Sequence, residues 1–413
     1  MTRKSASQRC AQVVSTACLL SLAALSLAAE PRPPGVTGET WQFGPLNRWA
    51  YTHLREILPT KDIPNAASDV RPLQGLGTAA ADRSLLFGER TEILSAAMDR
   101  LYVDGVLVLQ GGSVVVERYA GTLTPERPHL LWSVSKTITG LVAATVEADG
   151  LIDLDKTVAD YVPELADSGW GSDRLRDLLD MRDRSSWTED YDAPDSTVRR
   201  QDCADGLLTG DACKDVPVVG NYRFLPTVGH APERAGRFVY KSGTTDVIAW
   251  VLEAATGERF ADLVSARLWK PLGAERSAYI TVDVGGFTLA SGGIAATLRD
   301  VARVGQLMID RGRAGKRQVV PAAWFDDLFV AANDAERAQD GGYYRSFVWG
   351  TGETDGSVYA SGVHGQFIYV SPATGTVIAM LSSWPNADGG APGVGHAEAF
   401  ELLRALRAAA IAN

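Results

Sequence analysis

Strand-forming segments lie at both ends of this 413-residue chain and helix-forming ones lie between them, an order that leaves few ways to close a sheet. Residues 106–109 and 114–119 are rich in β-branched side chains and flank Gln110-Gly111-Gly112-Ser113, a hairpin signal. Toward the other end, 348–349, 357–361, 366–370 and 376–382 read as strands, with Pro372-Ala373-Thr374-Gly375 the clearest turn between them. Between these groups the apolar period turns helical. One helix runs from Ser133 to a stop at Gly150, a second covers about 173–181 behind Ser172, and a third covers about 246–256 and ends at Gly257. A fourth spans about 259–270 and stops at Pro271, and a fifth starts at the Thr297 and Asp300 cap pattern and ends before Gly312. A last helix covers about 396–411. Strands that must pair across a helical insertion imply an α+β fold, with an antiparallel sheet built from both chain ends and flanked by helices. On this reading 29–100 is a linker and N-terminal wrap, and 101–413 is the main domain. Its sheet comes from about 101–132 and 335–413, around a mostly helical region at about 133–334.

The first 28 residues follow another logic. Arg3, Lys4 and Arg9 precede an apolar run from Ala11 to Leu27, and Ser26-Leu27-Ala28 places small residues where a signal peptidase cuts. A removed signal peptide and a periplasmic or secreted product are expected, with no later run long enough to span a bilayer. Cleavage removes three of the 40 basic residues and none of the 50 acidic ones, so the exported chain is more acidic than its formal −10. That charge argues against nucleic acid as a partner. It also removes Cys10 and Cys18 and leaves Cys203 and Cys213, close in sequence and natural disulfide partners in an oxidising compartment. The five histidines show no HxH or HExxH spacing, so neither metal nor cofactor is expected.

The chemistry is carried by Ser133-Val134-Ser135-Lys136, inside the apolar stretch from Leu130 to Val142. On a helix, residues three apart share a face, which sets the Lys136 amine beside the Ser133 hydroxyl. A desolvated lysine of lowered pKa can take the proton that a serine must lose to become a nucleophile. None of the other seven lysines has a serine at this spacing.

Two further segments complete a pattern. Gly236-Arg237-Phe238-Val239-Tyr240-Lys241-Ser242 ends in a Tyr-x-Ser just before a helix, and Tyr359-Ala360-Ser361-Gly362-Val363-His364-Gly365-Gln366 lies on a C-terminal strand. In this order the three segments resemble the S-x-x-K, Y-x-N/S and K-T-G motifs of the serine β-lactamase and penicillin-binding-protein superfamily. Leu151-Ile152-Asp153-Leu154-Asp155, Leu178-Leu179-Asp180-Met181, Ser291-Gly292-Gly293 and Leu381-Ser382-Ser383-Trp384-Pro385 make the chain most similar to 6-aminohexanoate-dimer (nylon-oligomer) hydrolases and β-lactamase-like carboxylesterases. The resemblance implies Ser133 as nucleophile, Lys136 as its base and Tyr240 as proton shuttle. It implies an oxyanion site at the amides of Ser133 and Val363, and substrate contacts from Tyr191, Ser242, Ser291, Gly362, His364 and Asp388. Tyr191 and Asp388 match pocket positions of the nylon-oligomer hydrolases, where an acidic group can attract a substrate amine.

Departures bear on substrate. Ala360 stands where β-lactamases and penicillin-binding enzymes carry a cation for a substrate carboxylate, which favours a small amide or ester over a β-lactam or peptidoglycan peptide. Met181-Arg182-Asp183-Arg184-Ser185 lacks the Ser-Gly usual after the Leu-Leu-x-Met segment. The alternatives are a class C-like β-lactamase or D-alanyl-D-alanine peptidase and, from another class, a non-catalytic sensor that keeps the fold. An α/β-hydrolase is excluded because the chain has no G-x-S-x-G.

Overall fold

The computed structural model describes residues 30–75, 82–330 and 342–412, and the expected signal peptide lies outside them. Residues 30–32 are irregular, and the folded unit begins at Pro33. Its centre is a seven-stranded antiparallel sheet in the spatial order Tyr343–Arg345, Val348–Gly350, Val358–Gly362, Gln366–Ser371, Thr376–Ser382, Val103–Gln110, Ser113–Tyr119. The strand Thr376–Ser382 pairs with Val103–Gln110, joining the two ends of the chain. Gln110 pairs with Ser113 across Gly111 and Gly112, both at positive φ (55° and 80°), the two-residue turn whose twist suits a hairpin.

Side-chain alternation sorts the sheet into two cores. Leu107, Leu109, Ile368, Val370, Val377 and Ala379 face the large core that holds the central helices. Val106, Val108, Phe367, Tyr369, Ile378 and Met380 face a second core closed by the helices Leu94–Arg100 and His396–Ile411. With both faces covered, these strands read as nearly continuous apolar runs. The helix Val134–Ala148 is buried on every side from Val134 to Val146, as expected of a central helix. A smaller sheet, in the order Thr60–Ile63, Ala278–Thr281, Ile294–Ala296, His129–Leu130, ties the N-terminal segment to the chain just before Ser133. No helix among the described residues is long and apolar enough to cross a membrane.

Several boundaries differ from the sequence reading. The helix expected at about 173–181 is only Leu175–Leu179, and the one expected from 246 begins at Ser242, directly behind Tyr240. The helical run does not stop at Pro271, because Val264–Trp269 widens into π-type turns and the proline then sits in the first turn of Lys270–Leu272, where its missing N–H costs little. Thr197–Asp205 is a helix the periodicity did not announce, opened by the Ser196 hydroxyl and closed by Gly206 at φ 78°.

Candidate active site

Ser133 is the residue on which the helix Val134–Ala148 opens, and it follows Trp132, a bulky residue held at φ 46°. Lys136 is 1% exposed, and its ammonium group has three partners. Nζ lies 2.7 Å from Ser133 Oγ, 3.0 Å from Ser242 Oγ and 2.8 Å from the Ser291 carbonyl. None of the three is a carboxylate. Burial therefore lowers the Lys136 pKa to about 8, against the weaker upward pull of Glu189 and Asp246. In the neutral form the amine has a lone pair able to accept the Ser133 proton.

Tyr240 stands on the chain entering the helix Ser242–Thr256. Its ring stacks on Trp349 with centroids 5.5 Å apart, and Lys136 Nζ lies 5.2 Å from its centroid on the same ring system. Burial, and then the Glu189 carboxylate, drive its pKa far above the ordinary phenol value, against a hydrogen bond with Ser133. Tyr240 is thus a neutral phenol, able to pass a proton but not to stand as phenolate. Its neighbour Lys241 anchors it: the buried amine donates to the Asp183 carbonyl (2.6 Å) and to Asp183 Oδ1 (2.8 Å). Asp183 also accepts from the Ser185 amide and hydroxyl and from Thr244.

Sequence reasoning missed Asp183, and it missed Glu189. One oxygen of Glu189 accepts from Tyr191 at 2.6 Å and from the Ser242 hydroxyl; the other accepts from the Ser242 amide at 2.8 Å and from the Trp187 indole at 2.5 Å. A hydroxyl and carboxylate chain therefore runs from Ser133 through Lys136 and Ser242 to Glu189 and Tyr191. A second acid, Asp246, accepts from the Ser291 amide at 2.9 Å and so helps to fix the residue whose carbonyl holds Lys136. The only signal available for these acids was their nearness in sequence to Tyr191, Tyr240 and Met181.

The Ser133 and Val363 residues both line the cavity, and no described residue accepts a hydrogen bond from either amide. Gly362 does not line it. A β-carbon at Gly362 would lie 2.7 Å from the Leu131 carbonyl and 3.0 Å from the Ser133 amide nitrogen, so the strand can approach the nucleophile turn only as glycine. The structure thus gives Gly362 a packing role beside the nucleophile turn. Asp388 also falls outside the cavity wall: Asn386 and Gly389 pair across a tight turn that points Ala387 inward and leaves Asp388 exposed. Tyr191, Ser242, Ser291 and His364 do line it. The His364 ring is buried, which pushes its pKa down to about 4, and Nδ1 lies 2.8 Å from the Trp384 carbonyl. A carbonyl can only accept, so Nδ1 carries the proton and the ring is neutral.

The remaining wall is the helix Thr197–Asp205, with Val198, Arg199, Gln201 and Asp202 facing the cavity. Arg199 is the one lining residue with a permanent cation among those described, and it is committed: to Asp202 (3.1 Å), Gln42 (3.0 Å) and the Tyr191 carbonyl (2.7 Å). Ala360 is in the apolar core and adds no charge. Cys203, on the same helix, is bonded to Cys213.

The sequence profile of the β-lactamase family matches residues 88–400. A 6-aminohexanoate-dimer hydrolase of Paenarthrobacter ureafaciens is 37% identical over 365 residues, covering 85% of this chain and 89% of its own. A Bacillus anthracis structure described as a 6-aminohexanoate-dimer hydrolase superposes with a TM-score of 0.81 at 26% identity, over 92% of this chain and 98% of that one. A penicillin-binding protein of Bacillus halodurans shares the fold, with a TM-score of 0.57 at 15% identity over 76% of this chain and 99% of its own.

Proposed function

This chain belongs to the β-lactamase family and is a serine hydrolase, and from that premise we propose that it is an exported amidase or esterase that cleaves small linear substrates through an acyl-enzyme at Ser133. The observation that carries the reading is the Lys136 amine, buried without a carboxylate partner and 2.7 Å from the Ser133 hydroxyl. Neutral Lys136 takes the Ser133 proton as Oγ bonds to the substrate carbonyl carbon, and the carbonyl π pair moves onto oxygen. The amides of Ser133 and Val363 hold that oxyanion, each such donor contributing about 2.7–4 kcal/mol to the transition state. Collapse restores the carbonyl and expels the amine or alkoxide, which takes a proton from Tyr240; the Lys136 ammonium replenishes Tyr240. Water then attacks the ester carbon, gives its proton to Lys136 through Tyr240, and the released Ser133 alkoxide recovers a proton.

For the substrate, we favour an amide of an ω-amino acid of the 6-aminohexanoate-dimer type over a β-lactam. Support comes from the Paenarthrobacter relative, from Ala360 in the core, and from an Arg199 already paired with Asp202. Export is supported by the signal-like first 28 residues and by the Cys203–Cys213 bridge, which belongs to an oxidising compartment. The deciding experiment compares kcat/KM of the purified protein on 6-aminohexanoate dimer, p-nitrophenyl butyrate and a chromogenic cephalosporin. The dimer and the ester should exceed the cephalosporin by a wide margin, and the reverse ranking would overturn the substrate reading. Covalent labelling of Ser133 by a fluorophosphonate, read by mass spectrometry, separates an enzyme from a passive sensor of the same fold.

A further inference from the structure

The N-terminal segment carries no chemical motif, yet it packs on both turns that present the oxyanion amides. Trp132, which precedes Ser133, is left-handed at φ 46°; His364, which follows Val363, is left-handed at φ 61°. Bulky side chains rarely occupy this region, and they stay there only when the surroundings hold them. The peptide that carries the Ser133 N–H is oriented by the Trp132 backbone. Val363 stands in the three-residue turn Val363-His364-Gly365 between the paired Gly362 and Gln366, so its orientation depends on the left-handed His364.

Four rings lock these two residues together. Trp132 and His364 stack with centroids 5.7 Å apart and planes 28° from parallel. The fully buried Tyr51 meets both edge-on, at 5.8 Å and 5.5 Å, and Trp41 stacks on Trp132 at 5.6 Å with planes 7° apart. The outer pair is itself pinned. Tyr51 donates its hydroxyl to the Gln42 carbonyl (2.8 Å), Trp41 donates its indole N–H to the Leu207 carbonyl (2.8 Å), and the Tyr51 carbonyl accepts from the Leu130 amide (2.9 Å). Asn47 donates to the Trp384 carbonyl, the same oxygen that receives His364 Nδ1–H. The 41–51 segment therefore reaches each oxyanion turn separately and joins them.

We propose that Tyr51, backed by Trp41, is a positioning residue for oxyanion stabilisation: its ring, wedged against Trp132 and His364, keeps the Ser133 and Val363 amides aimed at the developing negative charge. The proposal rests on the reading of Ser133 as nucleophile. A ring that only fills space would change stability; a ring that aims amides changes the transition state more than the ground state.

The test uses the full chain with p-nitrophenyl butyrate as substrate and phenylboronic acid as a tetrahedral mimic. Tyr51→Leu should lower kcat about 10- to 100-fold, part of the loss expected for a missing oxyanion donor, with KM within about two-fold. Inhibition by the boronic acid should weaken by the same factor as kcat. Tyr51→Phe keeps the ring and loses the hydroxyl, with its bond to the Gln42 carbonyl and its interactions with Asn47 and Trp132, so it should stay near the parent in both measures if the ring does the positioning. Trp41→Leu should move both in the same direction by a smaller factor, and it supplies the test if Tyr51→Leu does not fold. The inference is overturned if the folded leucine variants shift the melting temperature while kcat and boronic acid affinity stay at parent values. It is equally overturned if Tyr51→Phe loses as much as Tyr51→Leu. Absence of fluorophosphonate labelling at Ser133 in the parent protein would instead defeat the nucleophile assignment beneath it.

Discussion

Two lysines are buried within one segment's reach of Tyr240, and they are put to opposite uses. Lys136 is 1% exposed and Lys241 is 0% exposed, so burial lowers the pKa of both. Lys241 meets a carboxylate, Asp183, at 2.8 Å, and the pair remains an ionic anchor under the tyrosine loop. Lys136 meets two hydroxyls and a carbonyl, while the nearest acids act at a remove: Glu189 behind Ser242, and Asp246 behind the Ser291 peptide. The lesson is that burial alone does not make a lysine a base. What decides is whether its direct partners can neutralise it.

The largest effect should come from the lysine without a carboxylate. Lys136→Met should cut p-nitrophenyl butyrate turnover by at least about 10³-fold, as should Ser133→Ala, and a Ser133→Ala/Lys136→Met double variant should lose little more, since groups acting as a unit do not add. The melting temperature of Lys136→Met should change far less than that of Lys241→Met, because the amine it removes has no carboxylate as a direct partner and Glu189 and Asp246 keep their own hydrogen-bond donors. Near-parent turnover in either single variant would end the base and nucleophile assignments.

Lys241→Met should do the reverse. Stripping one partner from a buried ion pair costs about 3–5 kcal/mol, so urea unfolding should show a loss of that order. Turnover per folded molecule should fall far less than in Lys136→Met. The Asp183→Asn/Lys241→Met double variant should recover part of the stability, because it leaves no buried charge unpaired. A Lys241→Met protein as stable as the parent but inactive would show that the two roles have been exchanged.

The third expectation concerns pH. On the proposed mechanism acylation needs neutral Lys136, so kcat/KM should rise with pH to a plateau with a midpoint near the lowered pKa of about 8. Stability should follow in the same direction. Between about 8 and the ordinary 10.5 the unfolded chain holds a proton that the folded chain does not, so unfolding becomes less favourable as pH rises through that window. The full gain is about 3 kcal/mol. The difference in unfolding free energy between parent and Lys136→Met, measured at pH 7 and pH 10, isolates it. A gap that does not move with pH would mean that the amine is not held neutral by burial.

The contrast between the lysines also explains what could be read from the chain. Ser133 and Lys136 are three residues apart in one apolar helix, and the sheet strands are short apolar, β-branched runs set off by turns, so both are written in neighbouring residues. The α+β class was legible for the same reason, and its β-lactamase type through the three motifs that resemble that superfamily. Glu189 meets Ser242 across 53 positions, Lys241 meets Asp183 across 58, and Asp246 meets Ser291 across 45. Asp183 and Glu189 stand among polar neighbours and read locally like loop residues, and Asp246 stands at the head of an apolar helical run whose pattern says nothing of its partner. The helix Thr197–Asp205 was invisible because its cavity face is polar, with Arg199, Gln201 and Asp202, and so it carries no apolar stripe to count. At Asp388 the sequence neighbourhood resembles a pocket, but a tight turn puts Ala387 on the cavity wall and leaves Asp388 exposed, a direction that neighbouring residues do not announce.

The smallest expected effect tests whether that polar helix belongs to the binding wall or to the catalytic unit. Cys203 lies in its last turn, and the bridge to Cys213 fastens the end of the element that carries Val198, Arg199, Gln201 and Asp202. Neither catalytic lysine neighbour, Ser133 or Tyr240, is on that helix or in the bridged loop. In the chain-entropy view a loop of this size contributes about 3 kcal/mol at most, and less when the folded loop is already held by other bonds. Here it is held: the Gly220 and Val219 amides both donate to the Ala204 carbonyl, and Trp41 donates to the Leu207 carbonyl. Reduction should therefore lower the melting temperature modestly and raise KM several-fold, while kcat and the pH midpoint of Lys136 stay in place. Thiol counting on the denatured, unreduced protein establishes that the bridge is formed, and kinetics with and without reductant read the rest. A fall in kcat at unchanged KM would mean that the helix acts on Lys136 through Gln201 and Asp246, which are 2.8 Å apart, and that the catalytic unit extends further than the partners of the lysine itself.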